Sequence, residues 1–147
     1  MSLEKKVLEG QMKEFIGTKK IKAVETTKQE YCDYRGWEVP EDEDPREEIY
    51  LVEYEVDPLS KPNHTNHKGY ISMSPKHVFE DAYKPASTFL DRLHVEASDL
   101  YEKIEKLTHA IEHKLIPESE TQILKVQLDV MRTYFGILAS RINKAKN

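Results

Sequence analysis

The chain has 147 residues, with 33% charged and 38% apolar side chains and a formal net charge of −5. This composition is typical of a folded, soluble protein with one domain, or with a small domain and an appended element. It excludes a disordered or fibrous chain. No run approaches the ~20 apolar residues of a membrane helix, so we expect no membrane partner.

The charge is unevenly distributed along the chain. Residues 1–86 carry 13 basic and 18 acidic side chains, whereas residues 87–147 carry nine of each. An acidic first part and a neutral second part argue against a broad basic face for duplex nucleic acid. We therefore expect no duplex DNA or RNA partner.

Cys32 is the single cysteine, which excludes an internal disulfide and a cysteine-built zinc site. The first residues, "MSLEKKVLEGQMKEF", lack the apolar centre of a signal peptide, so we expect a cytoplasmic protein. Helical spacing of apolar residues within residues 1–15 predicts a short lead-in helix.

The first part of the chain predicts a small antiparallel sheet with short helices. "TKKIKAV" alternates like a half-buried strand, and "TTKQEYCDYR" predicts a helix capped by Thr26 or Thr27. "EIYLVEYEV" and "YISMS" predict a hairpin with a long connection.

A further short helix is predicted directly after this hairpin. In "SPKHVFEDAY", Ser74 is placed as the N-cap and Pro75 as the first helical residue. The sheet and its short helices thus occupy residues 1–86.

Residues 87–147 predict two long amphipathic helices, at about 88–114 and 120–145. Thr88 with Asp91 and Ser119 with Gln122 have the spacing of capping boxes at the two starts. The apolar stripes step by three and four residues. They comprise Leu90, Leu93, Ala97, Leu100, Ile104, Leu107 and Ile111 in the first helix, and Leu124, Leu128, Met131, Phe135, Leu138 and Ile142 in the second. The predicted fold is therefore α+β, with a small antiparallel sheet followed by an antiparallel two-helix hairpin.

The second helix carries an additional stripe. It consists of Ile123, Val130, Tyr134 and Ile137, with Gln127 and Arg141 at the same spacing. One partner helix cannot cover two stripes, so the small sheet or another subunit must cover this one. A homodimer or a higher homo-oligomer is favoured over a monomer.

The sequence offers no recognisable catalytic or metal centre. His64 and His67 are three residues apart without an obvious third ligand, so "NHTNH" is interpreted as a polar loop. No phosphate-binding glycine loop, nucleophile elbow or catalytic triad is present. We expect a protein that is not an enzyme and uses neither a metal nor a cofactor.

The open end of the hairpin is the candidate ligand site. Antiparallel register sets Arg92 beside Arg141, with Lys144 one turn further on. The same end holds the first turn of the first helix, whose N–H groups at Thr88 and Phe89 favour an anion. This arrangement predicts a phosphate site, and ordinary surface charge is the alternative. Arg132 belongs to the acid-free stretch that starts at Val130 and completes the cationic set.

Aromatic side chains near that end would provide a stacking face for a base. The candidates are Phe89, Tyr134 and the cluster around Trp37, where Arg35 can itself stack on a ring. In "EYCDYRGW", the spacing of Tyr31, Tyr34 and Trp37 is most economically core packing. Under that interpretation, Arg35 and Trp37 shape or border the site.

Several stretches resemble known phage proteins. "EYCDYRGW", "EIYLVEY" and "PNHTNHKGYISMSPKHVFEDAY" resemble a module common in small proteins of tailed bacteriophages, although that module often has tryptophan in place of Met73. "FLDRLHVEASDLYEKIEKL" and "LKVQLDVMRTYFGILASRI" are similar to phage helical hairpins. Together, the sheet and hairpin look like the first Thoeris anti-defence protein family.

This resemblance implies a sponge in the host bacterial cytoplasm. Members of that family bind cyclic ADP-ribose isomers made by bacterial immune TIR proteins and hold them intact. They assemble as dimers or higher oligomers, and some also bind cyclic di- or trinucleotides. The alternative is a homo-oligomeric phage adaptor whose hairpin binds a host protein. A nucleotide hydrolase is the weakest hypothesis.

Overall fold

The computed structural model describes all 147 residues, and the chain forms two compact units, Met1–Glu80 and Asp81–Asn147. The elements in chain order are helix α1 (Leu3–Leu8), strand β1 (Ile21–Thr27), helix α2 (Lys28–Arg35), strands β2 (Glu48–Tyr54) and β3 (Ile71–Pro75), and helices α3 (Lys76–Ala82), α4 (Phe89–Glu112) and α5 (Glu118–Lys146). The predicted α+β class, an antiparallel sheet followed by a helical hairpin, is confirmed.

The first unit is built on a three-stranded antiparallel sheet in the order β1-β2-β3. Ala23 pairs with Val52 and Leu51 pairs with Met73, so β2 is the central strand. Ile49 and Val52 are both fully buried. Because they are three residues apart, they point to opposite faces, and β2 therefore contributes to packing on both sides of the sheet.

Two short helices pack on this sheet. Helix α2 contacts β1 and β2 and buries Tyr31 and Cys32, while Phe79 of α3 stacks on the Tyr50 ring at a centroid distance of 4.0 Å. The predicted cap of α2 is confirmed, since the Thr27 hydroxyl accepts a hydrogen bond from the Glu30 N–H at 3.2 Å. These contacts give the unit its core.

The start of α3 differs from the prediction. Ser74 and Pro75 are the last residues of β3, where they pair with Tyr50 and Ile49, and the helix begins at Lys76. Strand β3 lies at the edge of the sheet, where a proline costs no ladder hydrogen bond. Pro75 is therefore compatible with the strand, and the predicted N-cap at Ser74 is wrong.

The lead-in helix is shorter than predicted. Helix α1 covers Leu3–Leu8 rather than residues 1–15 and buries none of its residues. Gly10 follows in the left-handed region with φ of 69°. Glycine adopts this conformation without steric cost, and it ends the helical path.

The second unit is the predicted helical hairpin. At the start of α4, the Thr88 hydroxyl accepts from the Asp91 N–H at 3.0 Å, and Asp91 accepts from the Thr88 N–H at 3.2 Å. This capping box was predicted and is confirmed. No helix of the protein is both long enough and apolar enough to span a lipid bilayer.

The start of α5 lacks the predicted capping box. Pro117 occupies the N-cap position with φ of −53°, and the helix begins at Glu118. Proline is pre-organised for helix entry, so the chain turns helical before it reaches Ser119. Ser119 therefore lies inside the first turn, and its prediction as a cap is wrong.

Candidate functional site

The helical hairpin is held together by the two predicted stripes. Leu93 and Ala97 of α4 form a buried cluster with Leu138 and Ile142 of α5, and Leu138 is completely buried. Phe135 packs against this cluster from its edge. This seam fixes the register of the two helices and so the positions of the hairpin side chains.

Short side chains on one flank of the seam leave a groove between the helices. Ala97 and Ser98 of α4 and Ala139 and Ser140 of α5 line this groove, which has a volume of about 800 Å³. Ligand pockets for small molecules have volumes of roughly 300–1,000 Å³. The lining residues are His94, Ala97, Ser98, Tyr101, Phe135, Ala139, Ser140, Ile142, Asn143 and Lys146.

Aromatic rings form one end of the groove. Tyr101 and Phe135 lie with ring centroids 5.7 Å apart and ring planes tilted by 45°. Tyr101 is 51% exposed, so much of its surface is available to a ligand. An exposed aromatic ring stacks on a nucleobase irrespective of base identity.

Cationic and polar groups form the other end. His94 and Lys146 line the groove together with the Asn143 amide. Lys84 borders the same groove, because its ammonium donates to the Ser98 hydroxyl at 3.2 Å and to Asp99 at 3.1 Å. Ammonium groups and amide N–H groups are suited to phosphate oxygens.

The two ends are separated along the helix axis. His94 precedes Tyr101 by seven residues, which corresponds to about 10 Å at the rise of an α-helix. A ligand with a flat ring and a phosphate group separated by a sugar fits that spacing. The groove therefore combines an exposed aromatic ring with cationic and polar groups about two helical turns away.

Part of the sequence-predicted site also comes together at the open end of the hairpin. The Arg141 guanidinium lies over the Phe89 ring, 5.9 Å from its centroid, a favourable cation–π arrangement. Arg92 instead donates to the backbone carbonyl of Ala86 at 3.3 Å. Lys144 is exposed. Arg141 and Phe89 thus contact each other, whereas Arg92 binds the backbone of the segment that precedes α4.

Tyr134 is engaged by an acidic side chain. Its hydroxyl donates a hydrogen bond to Glu96 of α4. This hydrogen bond to the Glu96 carboxylate, reinforced by desolvation, raises the pKa of Tyr134 above its ordinary value. Tyr134 therefore bridges the two helices.

The prediction that Thr88 has a free N–H group for an anion is wrong. That N–H donates to Asp91, whose carboxylate occupies the positive end of the helix dipole. A second anion at the same place would meet a fixed negative charge. The capping box and the anion site compete for the same donor, and the structure forms the capping box.

Arg132 lies outside the open end. Its guanidinium donates to the Thr108 hydroxyl at 3.3 Å. Nine residues separate it from Arg141, or roughly 13 Å along the helix. Arg132 is instead one turn from Phe135, so it lies beyond the aromatic end of the groove.

Arg35 and Trp37 belong to the first unit. The Arg35 guanidinium lies over the Trp37 ring, 4.2 Å from its centroid, and donates to the Tyr31 hydroxyl at 2.9 Å. Tyr31 is buried, but Trp37 is 52% and Tyr34 39% exposed. The interpretation of all three aromatics as core is therefore correct only for Tyr31. Gly36, with φ of 73°, ends α2 and directs Trp37 to the surface.

The histidine loop forms a hydrogen-bonded chain with α2. Tyr34 contacts His67 Nε2 at 2.7 Å, and His67 Nδ1 contacts Glu53 at 2.5 Å, while the His64 ring stacks on Tyr34. The hydrogen bond from His67 lowers the pKa of Glu53, with a further contribution from the Gly69 N–H. Both histidines thus hold the long β2–β3 connection against α2. No group of three or more His, Cys, Asp and Glu side chains has the arrangement of a metal site.

Sequence reasoning missed the groove and its lining residues. Their signal is the presence of small residues in both helices, Ala97 and Ser98 in α4 and Ala139 and Ser140 in α5. These residues become informative only when the two helices are set in register. In that register, Tyr101 and Lys146 lie at the two ends of the groove.

Comparison with known proteins adds one similarity. A family model described as Sequestin matches residues 87–144, a region shorter than half of the chain that includes all of α4 and most of α5. The hairpin is thus similar to a family named for sequestration, which fits a protein that acts by holding another molecule. No curated protein and no solved structure matches the chain.

Proposed function

We propose that this is a phage anti-defence protein that sequesters a nucleotide immune signal of the cyclic ADP-ribose class in the host bacterial cytoplasm. The observation that carries the proposal is the groove on the Sequestin-like hairpin, which has an exposed aromatic ring at one end and cationic groups at the other. Cyclic di- and trinucleotides share the same chemistry and are secondary candidates.

In the proposed complex, Tyr101 stacks on the base, while Lys146, His94 and Lys84 contact phosphate oxygens. Stacking of a base on an aromatic side chain contributes about 1–3 kcal/mol. Arg132, one helical turn before Phe135, is the candidate for contact with a second phosphate of a larger cyclic ligand.

We further propose that the ligand leaves chemically unchanged. Sequestration requires only that affinity and protein concentration exceed those of the immune effector, and it needs neither a general base nor a nucleophile. The lining residues supply binding contacts of this kind. The protein in this proposal is a sponge and not an enzyme.

Titration of the purified protein with cyclic ADP-ribose isomers and cyclic oligonucleotides tests the proposal. A ligand at 100 times its Kd stabilises the folded state by about 2.7 kcal/mol and so raises Tm. Calorimetry gives the stoichiometry. After heat denaturation, chromatography of the supernatant is expected to return intact ligand, whereas a converted ligand would indicate an enzyme.

Matched variants locate the site. Tyr101→Ala and Lys146→Glu are expected to weaken binding about tenfold or more, and Lys106→Glu, on an exposed position of α4, is the control. Arg92→Glu and Lys144→Glu test the open-end arrangement inferred from the sequence. If those two variants abolish binding while the groove variants retain it, the ligand lies at the open end.

A second candidate function follows from the exposed stripe on α5. Ile123, Val130 and Ile137 are all more than half exposed, as in a surface that binds another protein. A phage adaptor would use this stripe for a host protein and bind no small ligand. Absence of a Tm shift with every nucleotide tested would favour the adaptor over the sponge.

A further inference from the structure

The loop between β2 and β3 and helix α2 form a hydrogen-bonded relay that the ligand groove does not use. The Tyr34 hydroxyl lies 2.7 Å from His67 Nε2, and His67 Nδ1 lies 2.5 Å from the Glu53 carboxylate. A hydroxyl, an imidazole and a carboxylate in this order have the arrangement of a nucleophile, a general base and a group that orients the base. All three residues belong to the first unit, whereas the groove belongs to the hairpin.

The direction of the relay follows from the partners of His67. The hydrogen bond from His67 lowers the pKa of Glu53, so Glu53 is a charged carboxylate at neutral pH. A carboxylate can only accept a hydrogen bond, and the proton of the neutral His67 ring is therefore assigned to Nδ1. Nε2 then carries a lone pair and accepts from the Tyr34 hydroxyl. The relay thus leads from the Tyr34 proton to a base.

The base is shielded from solvent, but the hydroxyl-bearing residue is accessible. The side chains of His67 and Glu53 are 16% and 22% exposed, whereas Tyr34 is 39% exposed. Partial removal from water strengthens the electrostatic contact between imidazole and carboxylate. An external reactant can therefore reach Tyr34 while the pair behind it stays protected.

Neighbouring side chains hold the Tyr34 ring in place. The His64 ring stacks on it with a centroid distance of 4.3 Å and an interplanar angle of 17°, and His64 Nε2 lies 3.3 Å from the Tyr34 carbonyl oxygen. The Asn66 side-chain amide donates to the Tyr34 hydroxyl oxygen at 3.3 Å. A donor in this position stabilises negative charge on that oxygen as its proton leaves.

The loop that carries the base is fixed to the sheet. The Asn63 amide donates to the Ile71 carbonyl at 2.8 Å and accepts from the Ile71 N–H at 2.7 Å. Gly69 approaches β2 so closely that a Cβ would lie 2.0 Å from the Tyr54 carbonyl oxygen, and its N–H donates to Glu53 at 3.3 Å. The relay is therefore preorganised and needs no large movement to act.

The charge of the first unit favours an uncharged reactant. Met1–Glu80 has 17 acidic and 12 basic side chains. The resulting negative potential repels an anionic phosphoryl donor. The carbonyl carbon of an activated ester is an electrophile without a charge.

We propose that Tyr34 is a nucleophile that accepts an acyl group from an activated ester. The Tyr34 oxygen forms a bond to the acyl carbon, and the bond between that carbon and the leaving oxygen breaks. His67 Nε2 takes the phenol proton and then passes it to the leaving oxygen, so no further reactant is consumed. Glu53 is a positioning residue that holds the His67 tautomer and stabilises the transient imidazolium. The proposal does not depend on nucleotide binding in the hairpin.

Acylation of the full chain by p-nitrophenyl acetate tests the proposal. The reaction is quenched with acid, and peptide mass spectrometry gives the acetylation rate of each tyrosine. Tyr34 is expected to react at least about tenfold faster than Tyr101, because a positioned general base accelerates proton removal. Tyr101 is the internal comparison, since it is 51% exposed and so more accessible than Tyr34. A Tyr34 rate no higher than that of Tyr101 would overturn the proposal.

Matched histidine variants test the base. His67→Gln keeps a polar side chain but cannot take the proton, and it is expected to lower the Tyr34 rate about tenfold or more without changing the Tyr101 rate. His77→Gln, at an exposed position of α3, is the control and should keep the Tyr34 rate of the wild type. If His67→Gln has the circular dichroism of the wild type and reacts equally fast at Tyr34, His67 is not a base.

The pH profile of the wild type separates activation of Tyr34 from a purely structural relay and needs no variant. The Tyr34 rate is expected to level off once His67 is neutral, whereas the Tyr101 rate should continue to rise with hydroxide concentration. Glu53→Gln should lower the Tyr34 plateau, and Glu53→Asp should restore part of it. Parallel profiles for Tyr34 and Tyr101 would show that the relay only holds the loop in place.

Discussion

Lys28 is the most buried charged side chain of the protein, with an exposed fraction of 7%. Its ammonium contacts Glu47 at 2.5 Å and Glu43 at 3.3 Å. The hydrogen bond to Glu47 is the main reason that the pKa of Lys28 is raised. The acidic stretch after Trp37 therefore has a structural role, because two of its carboxylates compensate a buried cation.

Replacement of Lys28 by methionine is expected to lower the free energy of unfolding by about 1–3 kcal/mol. Methionine retains the aliphatic packing, but the two carboxylates lose their shared partner and repel each other. Urea denaturation followed by circular dichroism measures the loss. Lys20→Met, at an exposed position, is the control, and equal stability of the two variants would contradict the structural role of Lys28.

Glu53 confers a pH dependence on the first unit. Its pKa is lowered from the ordinary value of 4.5, chiefly by the hydrogen bond from His67. The charged form therefore favours the folded state, with full stabilisation above pH 4.5 and progressive loss as pH falls through the folded pKa. Glu53→Gln is expected to reduce the slope of stability against pH in this window. Unfolding measured from pH 6 to about pH 3 checks this, and an unchanged slope would contradict it.

At the scale of elements, capping decides where α4 begins. Thr88→Ala removes the hydroxyl that accepts from the Asp91 N–H, and we expect a loss of about 1 kcal/mol in hairpin stability. Hydrogen exchange of the first-turn amides and urea denaturation measure the effect. The neighbouring Ser87→Ala variant controls for the loss of a serine or threonine hydroxyl outside the cap. Faster exchange confined to the first turn is the expected signature, and unchanged exchange there would argue against the cap.

The two helices of the hairpin differ in the number of apolar stripes on their surface. Helix α4 has one continuous apolar stripe, and its buried residues Leu93, Ala97 and Ile104 all lie on it. Helix α5 has two stripes, of which the hairpin buries the one containing Leu138 and Ile142. A helix with two apolar stripes needs two partners. Its second stripe stays exposed in the hairpin and is the surface that a phage adaptor would use.

At the scale of the whole molecule, the charge follows the division into units. Met1–Glu80 has 17 acidic and 12 basic side chains, whereas Asp81–Asn147 has ten of each. The hairpin is therefore neutral overall but has a cationic C-terminal end, with Arg141, Lys144 and Lys146. In the proposed function, that end contributes Lys146 to the ligand groove.

The sequence by itself determined the features that depend on local pattern. The two long helices, their buried seam, the Thr88–Asp91 box and the strands of the sheet all follow from periodicity and capping chemistry, which involve neighbours in the chain. Short-range rules were less reliable where proline was involved. Pro75 is the last residue of a strand and Pro117 is the N-cap of α5. The predicted caps at Ser74 and Ser119 were therefore both wrong.

Only the tertiary structure decided the features that depend on pairing between distant residues. The groove depends on small residues that both helices contribute, Ala97 and Ser98 with Ala139 and Ser140, and the exposure of Trp37 depends on how α2 ends against the sheet. The acceptor of the Thr88 N–H is likewise seen only in the structure, where the Asp91 carboxylate occupies the position that a bound anion would need. Periodicity identifies which side of a helix is buried, but the register between helices decides which small residues meet and therefore where a ligand can enter.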